Sequence, residues 1–136
     1  MNLLLDVRQR RGVRGSEYAW ANSRRLQDAM AEAEIGYQHL PELAPTTELR
    51  EAQYREDARL GEGKRSRTAL AAAYARGYTE QILDPADLDA IVRFIGGSRA
   101  ALLCVERDAR ACHRSLVAAR LAEDHGFEVL DLRPPG

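Results

Sequence analysis

Apolar positions in this chain fall into short runs that alternate with amphipathic stretches. Leu3-Leu4-Leu5-Asp6-Val7 is a run that ends in polar residues, as expected of a buried parallel strand. A basic loop follows, Arg8-Gln9-Arg10-Arg11-Gly12-Val13-Arg14-Gly15-Ser16. Asn22 or Ser23 can cap a helix whose apolar stripe is Leu26, Ala29, Met30 and Ala33, with Gly36 placed to end it. Tyr37-Gln38-His39-Leu40 reads as a brief strand that Pro41 stops. Thr46 or Thr47 opens a helix to about Arg59, broken by Gly61-Glu62-Gly63. A second helical stretch runs roughly from Ser66 to Leu83, with Gly77 inside it at a cost of ~1 kcal/mol relative to alanine.

The second half of the chain is better punctuated. Asp84 as cap and Pro85 at the first helical position introduce a helix with the stripe Leu88, Ile91, Val92 and Ile95, closed by Gly96-Gly97. Ala100-Ala101-Leu102-Leu103-Cys104-Val105 is apolar on both faces, the pattern of a central parallel strand. A polar loop from Glu106 to Ala111 leads into a helix from about Cys112 to His125, ended by Gly126, and Phe127 to Leu132 reads as a last strand. This order predicts an α/β fold: one domain over residues 1–136, three-layered, with a mainly parallel sheet of about four strands and helices on both faces.

Composition changes this picture little. The chain has 136 residues, 45% hydrophobic and 30% charged, an ordinary globular balance for one domain that needs no disulfide or metal merely to fold. No apolar run approaches the ~18 residues of a membrane span, and the start carries no basic leader, so a cytoplasmic protein is expected. Twenty basic residues against 21 acidic ones give a net charge of −1, which removes any bulk-charge argument for nucleic-acid binding. Only Lys64 is lysine among the basic residues, a bias that, with the abundant alanine, fits a GC-rich coding sequence. Cys104 and Cys112 are expected to be reduced thiols.

In an open parallel sheet, ligands bind beyond the carboxyl ends of the strands. That rule gathers Asp6 and Arg8 from the first strand, His39 and Glu42 from the second, and Cys104, Glu106 and Asp108 from the third. The following helix starts near Cys112-His113-Arg114-Ser115, where free amides favour an anion. The preferred reading is a pocket for a small phosphate- or nucleotide-like anion. Arg8 and Arg114 fork onto it, and Asp6, Asp108, Cys112 and Ser115 complete the binding set. His39, Glu42, Glu106 and His113 orient the ligand or transfer a proton. An ion-pair lattice among Arg8, Glu106, Asp108 and Arg114 explains the same residues without a ligand.

Three other chemistries compete. A Cys/His metal site could draw on Cys104, Cys112, His113 and His39 with Glu42 or Asp6. The Cys-x7-Cys-His spacing is unlike common zinc motifs, however, and Cys104 reads as a small core residue. The bare Cys-x5-Arg pattern from Cys104 to Arg110 fails as a phosphate loop, because Glu106 and Asp108 would oppose the dianion. Cys112 is the better thiol candidate, at a helix start beside His113 and Arg114. A nucleic-acid site could use the Arg8–Arg14 loop with Tyr18 and Trp20. An unpaired first strand would invite a homodimer through a sheet edge.

Asp6-Val7-Arg8 after an apolar strand, Tyr37-x-His39-Leu40-Pro41-Glu42-Leu43, and Cys104-x-Glu106-x-Asp108-x-x-x-Cys112-His113-Arg114-Ser115 together resemble the signature of domain-of-unknown-function family 488. The resemblance spans residues 3 to 132 and implies a compact α/β domain of a bacterial or archaeal protein. It sharpens the site and leaves reaction and cofactor open. Members usually carry a further strand and helix ahead of the Asp-Val-Arg strand, and often a glycine where Ala44 stands.

Overall fold

The computed structural model describes residues 2–8, 21–61, 70, 72–104 and 112–130. Three parallel strands form one sheet: β1 (Leu3–Asp6), β2 (Gly36–His39) and β3 (Ala100–Leu103). Their order is β2-β1-β3, with Leu3 opposite both Gly36 and Ala100, and Asp6 opposite both His39 and Leu103. Five α-helices accompany them: α1 (Ser23–Glu32), α2 (Thr47–Arg59), α3 (Ala72–Tyr78), α4 (Leu88–Ile95) and α5 (His113–His125). The order of elements is that of an α/β fold. Among the described residues, no helix is long and apolar enough to cross a membrane.

The central strand is β1, not β3. All four β1 residues are buried, whereas Ala100 is exposed and Ala101 to Leu103 are half-buried. Continuous apolarity therefore did not distinguish a central strand from an edge strand packed on one side. Because β1 is paired on both flanks, it offers no free edge, and the expectation of an unpaired first strand falls. The expected fourth strand does not form over 127–130, where Val129 and Leu130 are exposed; Asp131 and Leu132 lie outside the described residues.

Alternation along β1 divides the interior. Leu3, Leu5 and Val7 join a core with Leu40, Leu43, Leu49, Tyr74, Tyr78, Leu83, Leu88, Ile91, Ile95, Val117 and Leu121. Leu4, Asp6 and Arg8 stand on the other face by the same alternation and are equally buried.

Local chemistry explains where the helices begin and end. Thr46 caps α2 by accepting from the Leu49 amide. Asp87, not Asp84, caps α4, accepting from the Ala90 amide at 3.0 Å. Asp84 is itself helical, at φ −61° and ψ −42°, at the end of a π-helical segment, Thr79–Leu83, that continues α3. Pro85 therefore is not the first residue of α4. The turn after α1 also differs from expectation: Glu34, at φ 59°, takes the left-handed position, and Gly36 opens β2. Gly77 packs α3 closely on α2, since a Cβ there would lie 2.8 Å from Leu49 Cδ2.

Candidate functional site at the ends of the strands

The carboxyl end of β1 is surrounded by side chains from three separate stretches of sequence. Arg8 Nε and Nη2 donate to the two Asp6 carboxylate oxygens at 2.8 and 2.7 Å, and the Arg8 amide adds a bond to Asp6 Oδ1. Arg8 Nη1 donates to the Ala21 carbonyl at 2.7 Å. The Tyr37 hydroxyl, from β2, donates to Asp6 Oδ2. Both members of the ion pair are almost wholly buried, at 0% and 3% exposure. Burial pushes the Asp6 pKa up, but the bonds from Arg8 and Tyr37 and the Arg8 charge outweigh it and hold the carboxyl below its ordinary value. Burial likewise works against the Arg8 charge, and the Asp6 hydrogen bond and charge more than offset it.

Two imidazoles fix the backbone that leaves β1. His39 Nε2 lies 2.7 Å from the Arg8 carbonyl oxygen, and His113 Nε2 lies 2.8 Å from the Val7 carbonyl oxygen. A carbonyl only accepts, so each ring carries its proton on Nε2 and turns Nδ1 the other way. His113 comes from the first turn of α5 and is buried. Its Nδ1 is 3.6 Å from Cys112 Sγ, which also accepts the Arg114 amide at 3.5 Å as the cap of α5. The Ser115 amide and hydroxyl both donate to the Cys112 carbonyl. The amides of Arg114 and Ser115 are thus engaged within the helix cap.

Cys104, at the end of β3, completes a cluster. Its sulfur, Cys112 Sγ and a His113 ring nitrogen lie within 4.8 Å of one another. Cys104 is half-buried and packs against the main core, and neither cysteine is in a disulfide. Tyr78 closes the wall behind the cluster. It is fully buried, its ring centroid is 5.5 Å from that of His113, and its hydroxyl donates to the Leu43 carbonyl. Burial pushes the phenol's pKa far above its ordinary value and keeps it protonated.

The residues expected at the rim fall into distinct places. Asp6, Arg8, His39, Cys112 and His113 converge on the end of β1. Arg114 and Ser115 line a groove of about 670 Å³ between β3 and α5, together with Arg99, Leu102, Ala118 and Leu121. Glu42 is exposed on the 3-10 turn after β2. Glu106 and Asp108 lie outside the described residues, as do Arg10, Arg11, Arg14, Tyr18 and Trp20 of the basic loop. Tyr37 and Tyr78 were missed. Tyr37 sits beside His39 in the motif, in register opposite Leu4, whereas Tyr78 had no local signal.

The profile of a domain family, the domain of unknown function DUF488, matches residues 1–121. The chain belongs to the DUF488 family. The matched span contains all three motifs that carry the resemblance, so the DUF488 signature and the cluster at the end of β1 coincide in this structure. No curated protein and no solved structure matches the chain. Ala44, where DUF488 members often have glycine, is buried at φ −75° and ψ 146°. Any residue adopts that extended conformation, so alanine is accommodated without backbone strain.

Proposed function

We propose that this DUF488 domain binds a small organic anion, phosphate- or nucleotide-like, in the groove that runs along β3 to the first turn of α5. The observation that supports the reading is the groove between β3 and α5, in which Arg114 and Ser115 stand beside an apolar floor. Arg114 pairs with the anion beside Ser115, while the apolar side chains hold its body. Arg8 and Asp6 act as positioning residues, because the guanidinium is bonded to Asp6 and Ala21 rather than turned toward a ligand. His39 supplies Nδ1 for proton exchange, with Glu42 on the turn that follows its strand. A layer of helices on each sheet face would enclose the groove, which residues 127–130 also line. A homodimer would pair at β2 or β3.

The test is thermal unfolding of wild type and Arg114→Ala with inorganic phosphate, nucleoside monophosphates and a single-stranded oligonucleotide as probes. A ligand at 100 times its Kd adds about 2.7 kcal/mol of stability. The expected result is a rise in Tm with a phosphate-bearing small molecule that Arg114→Ala abolishes without lowering the ligand-free Tm. No shift with any small anion refutes the reading, and steeply salt-dependent binding of the oligonucleotide alone moves the assignment to nucleic acid.

A further inference from the structure

We infer that Cys104, Cys112 and His113 form a binding site for a thiophilic divalent cation, with zinc as the natural occupant. Two sulfurs and one imidazole are the donor set that borderline-soft zinc selects. In a tetrahedral zinc site, with Zn–S near 2.3 Å and Zn–N near 2.0–2.1 Å, a sulfur and a nitrogen ligand are ~3.5 Å apart. Cys112 Sγ and His113 Nδ1 already stand 3.6 Å apart. The whole triad lies within 4.8 Å, so binding needs Cys104 to close by only about 1 Å. Cys104 is half-buried at the end of an edge strand and can make that movement.

The surroundings match a metal centre as well as the donors do. A metal-binding histidine usually donates its other ring proton to a carbonyl or carboxylate, which fixes the tautomer and aims the ligating nitrogen. His113 does this through Nε2 to the Val7 carbonyl. The Arg114 amide donates to Cys112 Sγ, which disperses thiolate charge. Tyr78 keeps solvent from the inner side. A hydrogen-bonded Cys112–His113 pair would explain the 3.6 Å separation alone. It would not explain a second sulfur brought to the same point from a strand eight residues earlier. Binding converts both thiols to metal-bound thiolates and releases their protons to solvent, with no change of oxidation state. The metal site shares no side chain with the groove of the anion reading, which Arg114 and Ser115 line.

Cobalt(II) titration of the fully reduced whole chain tests the site, with thiol counting beforehand to establish two free thiols. The expected result is one cobalt per chain, with thiolate-to-cobalt charge transfer in the near ultraviolet, tetrahedral ligand-field bands in the visible, and displacement by zinc. Cys104→Ser should halve the charge-transfer intensity per bound cobalt and weaken affinity at least tenfold. Arg114→Ala should leave the spectrum unchanged. If Cys112→Ser does not fold, Cys104→Ser still decides the matter, because its side chain is not part of the buried cap. Absence of charge transfer in reduced wild type, or a spectrum indifferent to Cys104→Ser, overturns the inference.

Discussion

Replacing Asp6 with asparagine removes one charge from the most deeply buried ion pair described in the molecule. Asp6 is inaccessible and Arg8 is 3% exposed. In wild type the carboxylate accepts the Arg8 amide, Nε and Nη2 and the Tyr37 hydroxyl. An asparagine keeps one acceptor oxygen and turns an NH2 group toward these donors, so the guanidinium is left in a dry site with its charge uncompensated. Removing one partner of a buried pair costs ~3–5 kcal/mol, a large share of the ~5–15 kcal/mol that stabilises a domain. Urea unfolding followed by circular dichroism at pH 7 measures the loss. The pH dependence provides a second readout. The folded-state pKa of Asp6 is depressed, so its contribution is complete above the ordinary carboxylate range. It is lost as pH falls from about 4 toward the lower folded value. The gap between wild type and Asp6→Asn should therefore narrow in acid. Asp6→Leu combined with Arg8→Met should recover at least half the loss, because an apolar pair leaves no buried charge. A loss below about 1 kcal/mol, constant with pH, would show that water reaches the pair and refute the argument.

Three further outcomes follow from packing and backbone geometry. Glu34→Gly should raise Tm by a few degrees in a thermal melt, since a left-handed non-glycine residue costs ~1–2 kcal/mol and Gly relieves most of it. Gly77→Ala should destabilise despite the ~1 kcal/mol helix-propensity gain, because its Cβ meets buried Leu49; in a Leu49→Ala background the same change should become favourable. Tyr78→Phe should cost ~1–3 kcal/mol in urea unfolding by leaving the buried Leu43 carbonyl without the hydroxyl, while cobalt affinity stays within twofold.

Local pattern was enough to find the three described strands, a threonine cap for α2 and the glycine that ends α5, because each depends on residues within a few positions of one another. Strand order was not legible. The runs Leu3–Asp6 and Ala100–Leu103 are similarly apolar, and only the pairing of the whole chain makes one central and the other an edge. Asp84 followed by Pro85 has the local pattern of the α4 cap, but Asp87 takes that place. Asp84 is helical and pairs with Arg120 of α5, and Asp87 accepts the Ala90 amide. At the site, residue type drew attention to Asp6, Arg8, His39, Cys112 and His113, but not to their partners. The guanidinium read as an anion fork is bonded internally, because Ala21 and Tyr37 supply groups no spacing rule brings to Arg8 and Asp6. Cys104 looked like core filling because its strand is apolar. Its sulfur meets Cys112 only because β3 ends where α5 begins.

The central position of β1 bears on how the chain is made. Leu3 pairs with Gly36 but also with Ala100, so β1 receives its second neighbour only after the long stretch between β2 and β3 has been synthesised. At ~5–20 residues per second this leaves one flank of Leu3-Leu4-Leu5 open for several seconds during synthesis. Nascent chains should therefore depend on chaperones through that interval, and ribosome stalling before residue 100 should yield aggregates rather than partly folded intermediates.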